Sequence, residues 1–285
     1  MVFEIGRMTA TRSGSADATG DSVERQPLQV ESILGFPITT LSASMCVDMA
    51  ISWINVNHGA LFFACANPHS LELACRDEQF ASALREADLL TPDGVGIVLA
   101  SRLLGGAIRQ RVTGSDIFAG LNQALNSKGG YRVFFLGSTP SSLEMICKKM
   151  ADVYPRISVL GTYSPPFKAE FSPEDSRRMV EAVNACKPDV LWVGMTAPKQ
   201  EKWIYLYRQH LNVNFIGAVG AVFDFFIGKV KRSHPFFQNN GLEWLPRFIQ
   251  EPKRLWRRNF VSAPKFFIEV LREKKQQNSK LGRTE

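Results

Sequence analysis

Two short polar motifs interrupt apolar, strand-like sequence, Thr91-Pro92-Asp93-Gly94 and Pro198-Lys199-Gln200-Glu201, and a basic, Trp-rich C-terminus follows them. A carboxylate on a tight turn, as at Asp93, is a candidate general base if an acceptor hydroxyl comes within about 3 Å. The same four residues also make an ordinary structural turn. Arg111-Val112-Thr113-Gly114-Ser115-Asp116 offers a cation beside a capped helix start, a combination suited to a diphosphate. Cys65-Ala66-Asn67-Pro68 puts an amide at another helix start, able to bind a sugar hydroxyl or simply to cap the helix. In Gly137-Ser138-Thr139-Pro140 a permissive glycine, hydroxyl caps and a proline at the first helical position fit a phosphate cradle and plain capping equally well. The run from Gly194 to Glu201 opens a helix in the same way, but it carries a Lys and a Gln that a simple cap does not need, which favours a ligand role. His58, His69, His210 and His234 lack metal-ligand spacing and read as surface or capping residues. Asp224, a rare charge in an apolar run, reads as a structural cap ahead of a nucleotide contact.

These motifs sit in an alternating pattern of helices and strands. Helical spacing covers 45–55, 70–87, 95–104, 116–127, 141–153, 173–185 and 200–210; short apolar runs at 61–66, 131–136, 157–163, 190–193 and 215–219 read as strands. Strands separated by helices imply an α/β fold with a mainly parallel sheet covered on both faces. In such sheets ligands bind outside the carboxyl ends of the strands, where these polar motifs fall. No internal repeat is visible.

The chain has 285 residues, 45% apolar and 21% charged, enough for a large core. No apolar run reaches the ~18 residues of a membrane-spanning helix, and no basic region precedes an apolar stretch at the N-terminus, so a cytoplasmic protein is expected. Five scattered cysteines without a C-x-x-C pair argue against structural zinc and a disulfide framework. Residues 229–285 hold 14 Lys and Arg against 5 Glu, a local +9 on a chain whose total is +7. Such a block attracts the phosphates of nucleic acid or of an anionic bilayer. Composition predicts a flexible leader over 1–29, a folded core over 30–235, a helical appendage over 236–275 and a disordered tail over 276–285.

Thr91-Pro92-Asp93-Gly94, Arg111-Val112-Thr113-Gly114, Phe135-Leu136-Gly137, Pro198-Lys199-Gln200-Glu201 and Gly241-Leu242-Glu243-Trp244 together resemble the ordered motif series of the bacterial WecG/TagA/CpsF glycosyltransferases, family 26, over about residues 33–260. The resemblance implies a Rossmann-like α/β domain with a helical, basic C-terminal appendage. It also implies an inverting enzyme that passes a sugar from a UDP-sugar to a polyprenyl-diphosphate-linked saccharide at the inner face of the cell membrane, in exopolysaccharide or cell-surface polysaccharide synthesis. It puts the base at Asp93 and substrate contacts at Cys65, Asn67, Arg111, Gly137, Gln200 and Glu201. Arg247, Arg254 and Arg257 fall on arginines of the membrane-proximal appendage. Cys65 stands where a hydroxyl residue is expected, and Thr196 where a small residue usually precedes the Pro-Lys-Gln-Glu motif.

The appendage can also be read from its own residues. Trp244, Leu245, Phe248, Ile249, Leu255, Trp256 and Phe260 interleave with Arg247, Arg254, Arg257 and Arg258, which suits a peripheral membrane contact. The competing reading is an amphipathic element packed on its own core, and a homo-oligomer that buries part of this surface is a further rival. No Asp-x-Asp stands on a loop to hold a metal on the diphosphate, so neither a metal nor another cofactor is expected. A nicotinamide-dependent oxidoreductase would want a Gly-rich fingerprint and an acidic residue about 20 positions later, which are missing. A nucleic-acid-binding protein explains the basic block but none of the strand-end motifs, so no nucleic-acid partner is expected.

Overall fold

A computed structural model of the chain describes residues 29–56, 59–230 and 256–281. A hairpin comes first, β1 (Val30–Ile33) and β2 (Phe36–Thr39), followed by α1 (Ala43–Val56), β3 (Leu61–Ala66), α2 (Pro68–Ala74), α3 (Glu78–Arg85), β4 (Leu89–Pro92), α4 (Val95–Leu104) and α5 (Gly114–Lys128). Then come β5 (Arg132–Gly137), α6 (Pro140–Val153), β6 (Ser158–Tyr163), α7 (Pro173–Cys186), β7 (Val190–Gly194), α8 (Lys199–Tyr207), β8 (Phe215–Ala218) and α9 (Val222–Phe226). A π-helical turn, Arg257–Ser262, leads into a last helix, α10 (Ala263–Leu281).

Among the described residues the main sheet has six strands in the order β4-β3-β8-β7-β5-β6, all parallel. Adjacent residues of each strand point to opposite faces, and both faces are dry. Phe62, Leu90, Phe134, Leu191 and Ile216 join one core, with residues of α2, α3, α4, α7, α8 and α10. Phe63, Leu89, Phe135, Trp192 and Phe215 join the other, with α1, α5, α6 and α9. The α/β class and the doubly covered parallel sheet are those the alternating pattern predicts. From β3 the chain moves to β4 at one edge, and from β5 to β6 at the other, so the crossover direction reverses between them. That reversal opens a crevice at the carboxyl ends of the strands.

Three elements differ from the sequence expectation. The hairpin was not expected; its turn uses left-handed Leu34 and Gly35, without an Asn-Gly or Asp-Gly signal. Thr91 and Pro92, read as part of a polar turn, are the last residues of β4. Proline is tolerated there because β4 is an edge strand. The single helix expected over 70–87 is two, since Asp77 caps α3 by accepting from the N–H of Phe80 at 3.1 Å.

At the C-terminus α10 docks on α2 and α4. Phe266 and Val270 are fully buried in the first core, each worth roughly 1.5–3 kcal/mol. Of the apolar residues on which the reading of the appendage rests, Trp256 and Phe260 alone are among the described residues, and both are exposed; α10 lies beyond them. The helix also continues to Leu281, through residues for which composition predicts a disordered tail. Extending a docked helix through Lys and Gln costs little once its first turns are fixed.

Candidate active site

The geometry begins at two neighbouring strand ends. In the parallel pair β3 and β4, Cys65 lies opposite Thr91 and Ala66 opposite Pro92. One residue further, the N–H of Asp93 donates to Ala66 O at 2.7 Å. Asp93 is thus fixed beside Asn67, and both are half-buried at the rim of the crevice. Gly94 follows at φ 98, a backbone region that only glycine adopts readily, and lets the chain turn from β4 into α4.

Asn67 caps α2. Its Oδ1 accepts from the N–H groups of His69 (3.1 Å) and Ser70 (3.0 Å), and its own N–H donates to Ser70 Oγ at 2.8 Å. The capping alternative is therefore real, but it uses only the amide oxygen; among the described residues Nδ2 has no hydrogen bond to protein. Cys65 receives a hydrogen bond from Thr91 Oγ1 at 3.5 Å and packs on Gly114, where a Cβ would lie 3.6 Å from the sulfur. Burial first, and then the negative charge of Asp93, push the Cys65 thiol well above its ordinary pKa, with smaller contributions from Glu201 and Asp116 against the Thr91 bond. The thiol is neutral.

The segment that carries Arg111 comes to the same place from another loop. The N–H of Val112 donates to Pro92 O at 2.8 Å, which fastens the segment next to Asp93. Thr113 then caps α5 by accepting from the N–H of Asp116, and Asp116 returns the contact by accepting from Thr113 N and Oγ1 at 2.9 and 2.8 Å. Asp116 is thereby explained as half of a capping box.

On the far side of the crevice, Gly137 ends β5 at φ 111, and a Cβ there would lie 2.6 Å from Gly194 O. The strand ends of β5 and β7 approach this closely only because Gly137 has no side chain. Ser138 is also left-handed, and Thr139 caps the 14-residue α6. The α6 N-terminus therefore offers N–H groups and the positive end of a dipole at the carboxyl edge of the sheet.

Gln200 and Glu201 differ from a simple picture of ligand-contacting side chains. Both are only 4% exposed. Gln200 Oε1 accepts from the N–H groups of Met195 (3.2 Å) and Gly220 (3.1 Å), and its Nε2 donates to Glu201 Oε1 at 2.8 Å. The amide thus joins the loops that leave β7 and β8. Glu201 Oε2 is buried without a partner, and burial, opposed by the bond from Gln200, pushes this carboxyl up to about 7.

Other sequence candidates have separate places. His210 is exposed, and Asp224 in α9 pairs with Lys229 at 4.0 Å. His69 is half-buried and not a surface residue; its ring meets Ser262 Oγ at 2.8 Å. The sequence reading missed this contact because it pairs residues far apart in the chain, and it missed the brace role of Gln200 because that depends on β7 and β8 lying side by side. Arg247, Arg254, His58 and His234 lie outside the described residues. Arg257 is exposed in the π-helical turn near His69.

A carboxylate, an amide, an arginine segment and a glycine-hinged helix start at the carboxyl ends of the strands stand where an open α/β sheet binds its ligands. The chain belongs to the glycosyl transferase WecG/TagA/CpsF family, whose model matches residues 31–280, and it is a glycosyltransferase. An N-acetylglucosaminyldiphosphoundecaprenol N-acetyl-beta-D-mannosaminyltransferase of Bacillus spizizenii is 32% identical over 232 residues, covering 81% of this chain and 86% of the relative. The Bacillus subtilis protein of the same name is 30% identical over 254 residues, 88% of this chain and 95% of that one. A Staphylococcus aureus protein, again of that name, is 26% identical over 257 residues, 89% and 96% of the two chains.

Proposed function

We propose that this glycosyltransferase moves a sugar from a UDP-sugar to a polyprenyl-diphosphate-linked saccharide, with inversion, in the synthesis of a bacterial cell-surface polysaccharide. UDP-N-acetylmannosamine is the first donor to consider, because the relatives' names specify that sugar. The observation that carries the reading is the fixed pairing of Asp93 with the β3 end, which sets a carboxylate beside Asn67 and next to the segment that carries Arg111.

In the proposed reaction Asp93 takes the proton of the acceptor hydroxyl as its oxygen attacks the anomeric carbon. The bond from that carbon to UDP breaks on the opposite side in the same displacement, and UDP leaves with the bonding electrons. Asn67 Nδ2 orients a sugar hydroxyl, and Arg111 with the N–H groups at the α6 N-terminus meets the diphosphate charge. Gln200 acts through the loops it joins, and Glu201 through Gln200, both as positioning residues. The Cys65 thiol lines the wall behind Asp93.

The membrane side of the proposal rests on Trp256 and Phe260, 57% and 47% exposed, whose rings stack at 4.6 Å beside Arg257 and Arg258. Among the described residues no helix is long and apolar enough to cross a membrane. Peripheral attachment to the inner face through these rings and the basic C-terminal block fits an acceptor carried on a lipid.

The test is UDP release from a panel of UDP-sugars, with and without a polyprenyl-diphosphate-linked acceptor, for the intact protein and Asp93→Asn. Acceptor-dependent release from one donor, lost in the variant, is expected. No release from any donor by folded protein would count against the reading. Activity should persist in chelator; loss that magnesium or manganese restores would show that a metal takes part. Protection in thermal melting should come from UDP and not from NAD or oligonucleotides.

A further inference from the structure

A buried chain of polar side chains crosses the joint between α2 and the C-terminal segment. Ser262 is fully enclosed and donates its one hydroxyl proton to Glu72 Oε2 at 3.1 Å. The 2.8 Å contact between Ser262 Oγ and His69 Nδ1 then takes its proton from the ring, which assigns His69 the Nδ1–H tautomer. Glu72, also buried, meets Arg76 through its other oxygen at 2.6 Å. The backbone N–H of His69 donates to Asn67 Oδ1 at 3.1 Å. The side-chain contacts therefore run from Glu72 through Ser262 to the His69 ring, and the backbone of the same histidine is capped by the amide that lies beside Asp93.

The backbone at this joint is unusual too. Arg257–Ser262 forms a π-helical turn, a rare conformation that recurs at functional sites. Arg258 and Arg257 come close enough to the His69 ring to lower its pKa, after burial and against Glu72. Phe266 and Val270 would hold α10 on the core by themselves. A buried hydroxyl between a carboxylate and an imidazole adds what apolar packing lacks, a single register for the turn.

We propose that Ser262, latched between His69 and Glu72, is a positioning residue that seats Arg257 and Arg258 near His69, at the start of the helix that Asn67 caps, and so completes the site for the acceptor's diphosphate. The assignment rests on the transferase reading above. Ser262 touches no substrate; it acts through the turn it holds and through His69.

Ser262→Ala tests this with two readouts on the full-length protein, hydrogen exchange and steady-state kinetics with a polyprenyl-diphosphate-linked saccharide. Exchange over 257–266 should rise about tenfold, the loss expected for a buried hydrogen bond to a charged group, with β5 and β7 unchanged. The KM for the lipid-linked acceptor should rise about tenfold, while the donor KM and the kcat at saturating acceptor stay near wild type. Ser262→Thr, which keeps the hydroxyl, should restore both. Unchanged exchange would remove the latch. Faster exchange with an unchanged acceptor KM, or donor and acceptor KM rising in equal proportion, would remove the positioning role. If Ser262→Ala does not fold, Glu72→Gln is judged on the same two readouts. Absence of turnover in the wild type would overturn the acceptor role along with the transferase reading, and the exchange data would still decide whether the latch exists.

Discussion

The N–H of Asp93 donates to the carbonyl oxygen of Ala66 at 2.7 Å, which ties the candidate base to the residue that precedes Asn67. The two residues are far apart in sequence, and one backbone hydrogen bond between the ends of parallel strands makes them neighbours. That backbone bond holds residue 93 at the strand end whichever side chain it carries.

Asp93→Asn should therefore lower turnover by about 10²- to 10⁴-fold, the usual loss for a general base. The affinity for UDP and the melting temperature should stay close to wild type. A variant that keeps a tenth or more of the activity would remove Asp93 from the proton transfer.

Gln200→Leu should act on the scaffold. It leaves the N–H groups of Met195 and Gly220 without their acceptor and Glu201 without its donor. Orphaned buried groups cost about 1–3 kcal/mol each, so unfolding in denaturant should show a loss of about 2–4 kcal/mol, with weaker UDP binding by calorimetry. Full stability with lost activity would instead make Gln200 a direct ligand contact.

Gly137→Ala should be destabilising on two counts, a left-handed backbone at φ 111 and a Cβ 2.6 Å from Gly194 O. A loss of about 2 kcal/mol or more is expected, since a carbonyl on a neighbouring strand cannot swing away as a side-chain tip can. Equilibrium unfolding measures it, and a neutral outcome would mean that β5 and β7 separate freely.

Glu201 gives stability a pH dependence. Its carboxyl, ordinarily at 4.5, is pushed up to about 7 in the folded protein, so the folded state holds the proton more tightly than the unfolded state. This contribution is fully present below about pH 4.5 and is lost as pH rises through about 7. Between about pH 5 and pH 8 the wild type should lose up to about 3 kcal/mol relative to Glu201→Gln, which cannot ionise. Parallel stability profiles for the two proteins would sink the assignment.

Trp256→Ala with Phe260→Ala should weaken binding to vesicles containing anionic lipid, leaving the melting temperature near wild type because both rings are exposed. Unaltered vesicle binding with a change of mass in light scattering would assign the two rings to a subunit interface.

Much of the fold could be read from local pattern. β3 and α4 have the expected limits, because an apolar run of strand length and a helical period each report how a segment is buried. The hairpin and the strand before Asp93 could not be read so. Leu34-Gly35 is a weak turn signal, and Pro92 resembles a loop residue until β4 is known to be an edge strand. Of the site, residue types and motif order pointed to Asp93, Asn67 and Arg111, and Gly137 was legible as a glycine at a strand end.

What the sequence by itself determined is the alternation of strands and helices and the polar motifs at the strand ends, since both depend on residues close in the chain. Only the tertiary structure decided that Gln200 braces two loops, that Glu201 is a buried carboxyl with an orphaned oxygen, and that Ser262 meets His69 and Glu72. Those roles are set by which side chains converge and by how much water is excluded around them. Both follow from the order of strands in the sheet and the docking of α10, which no local spacing encodes.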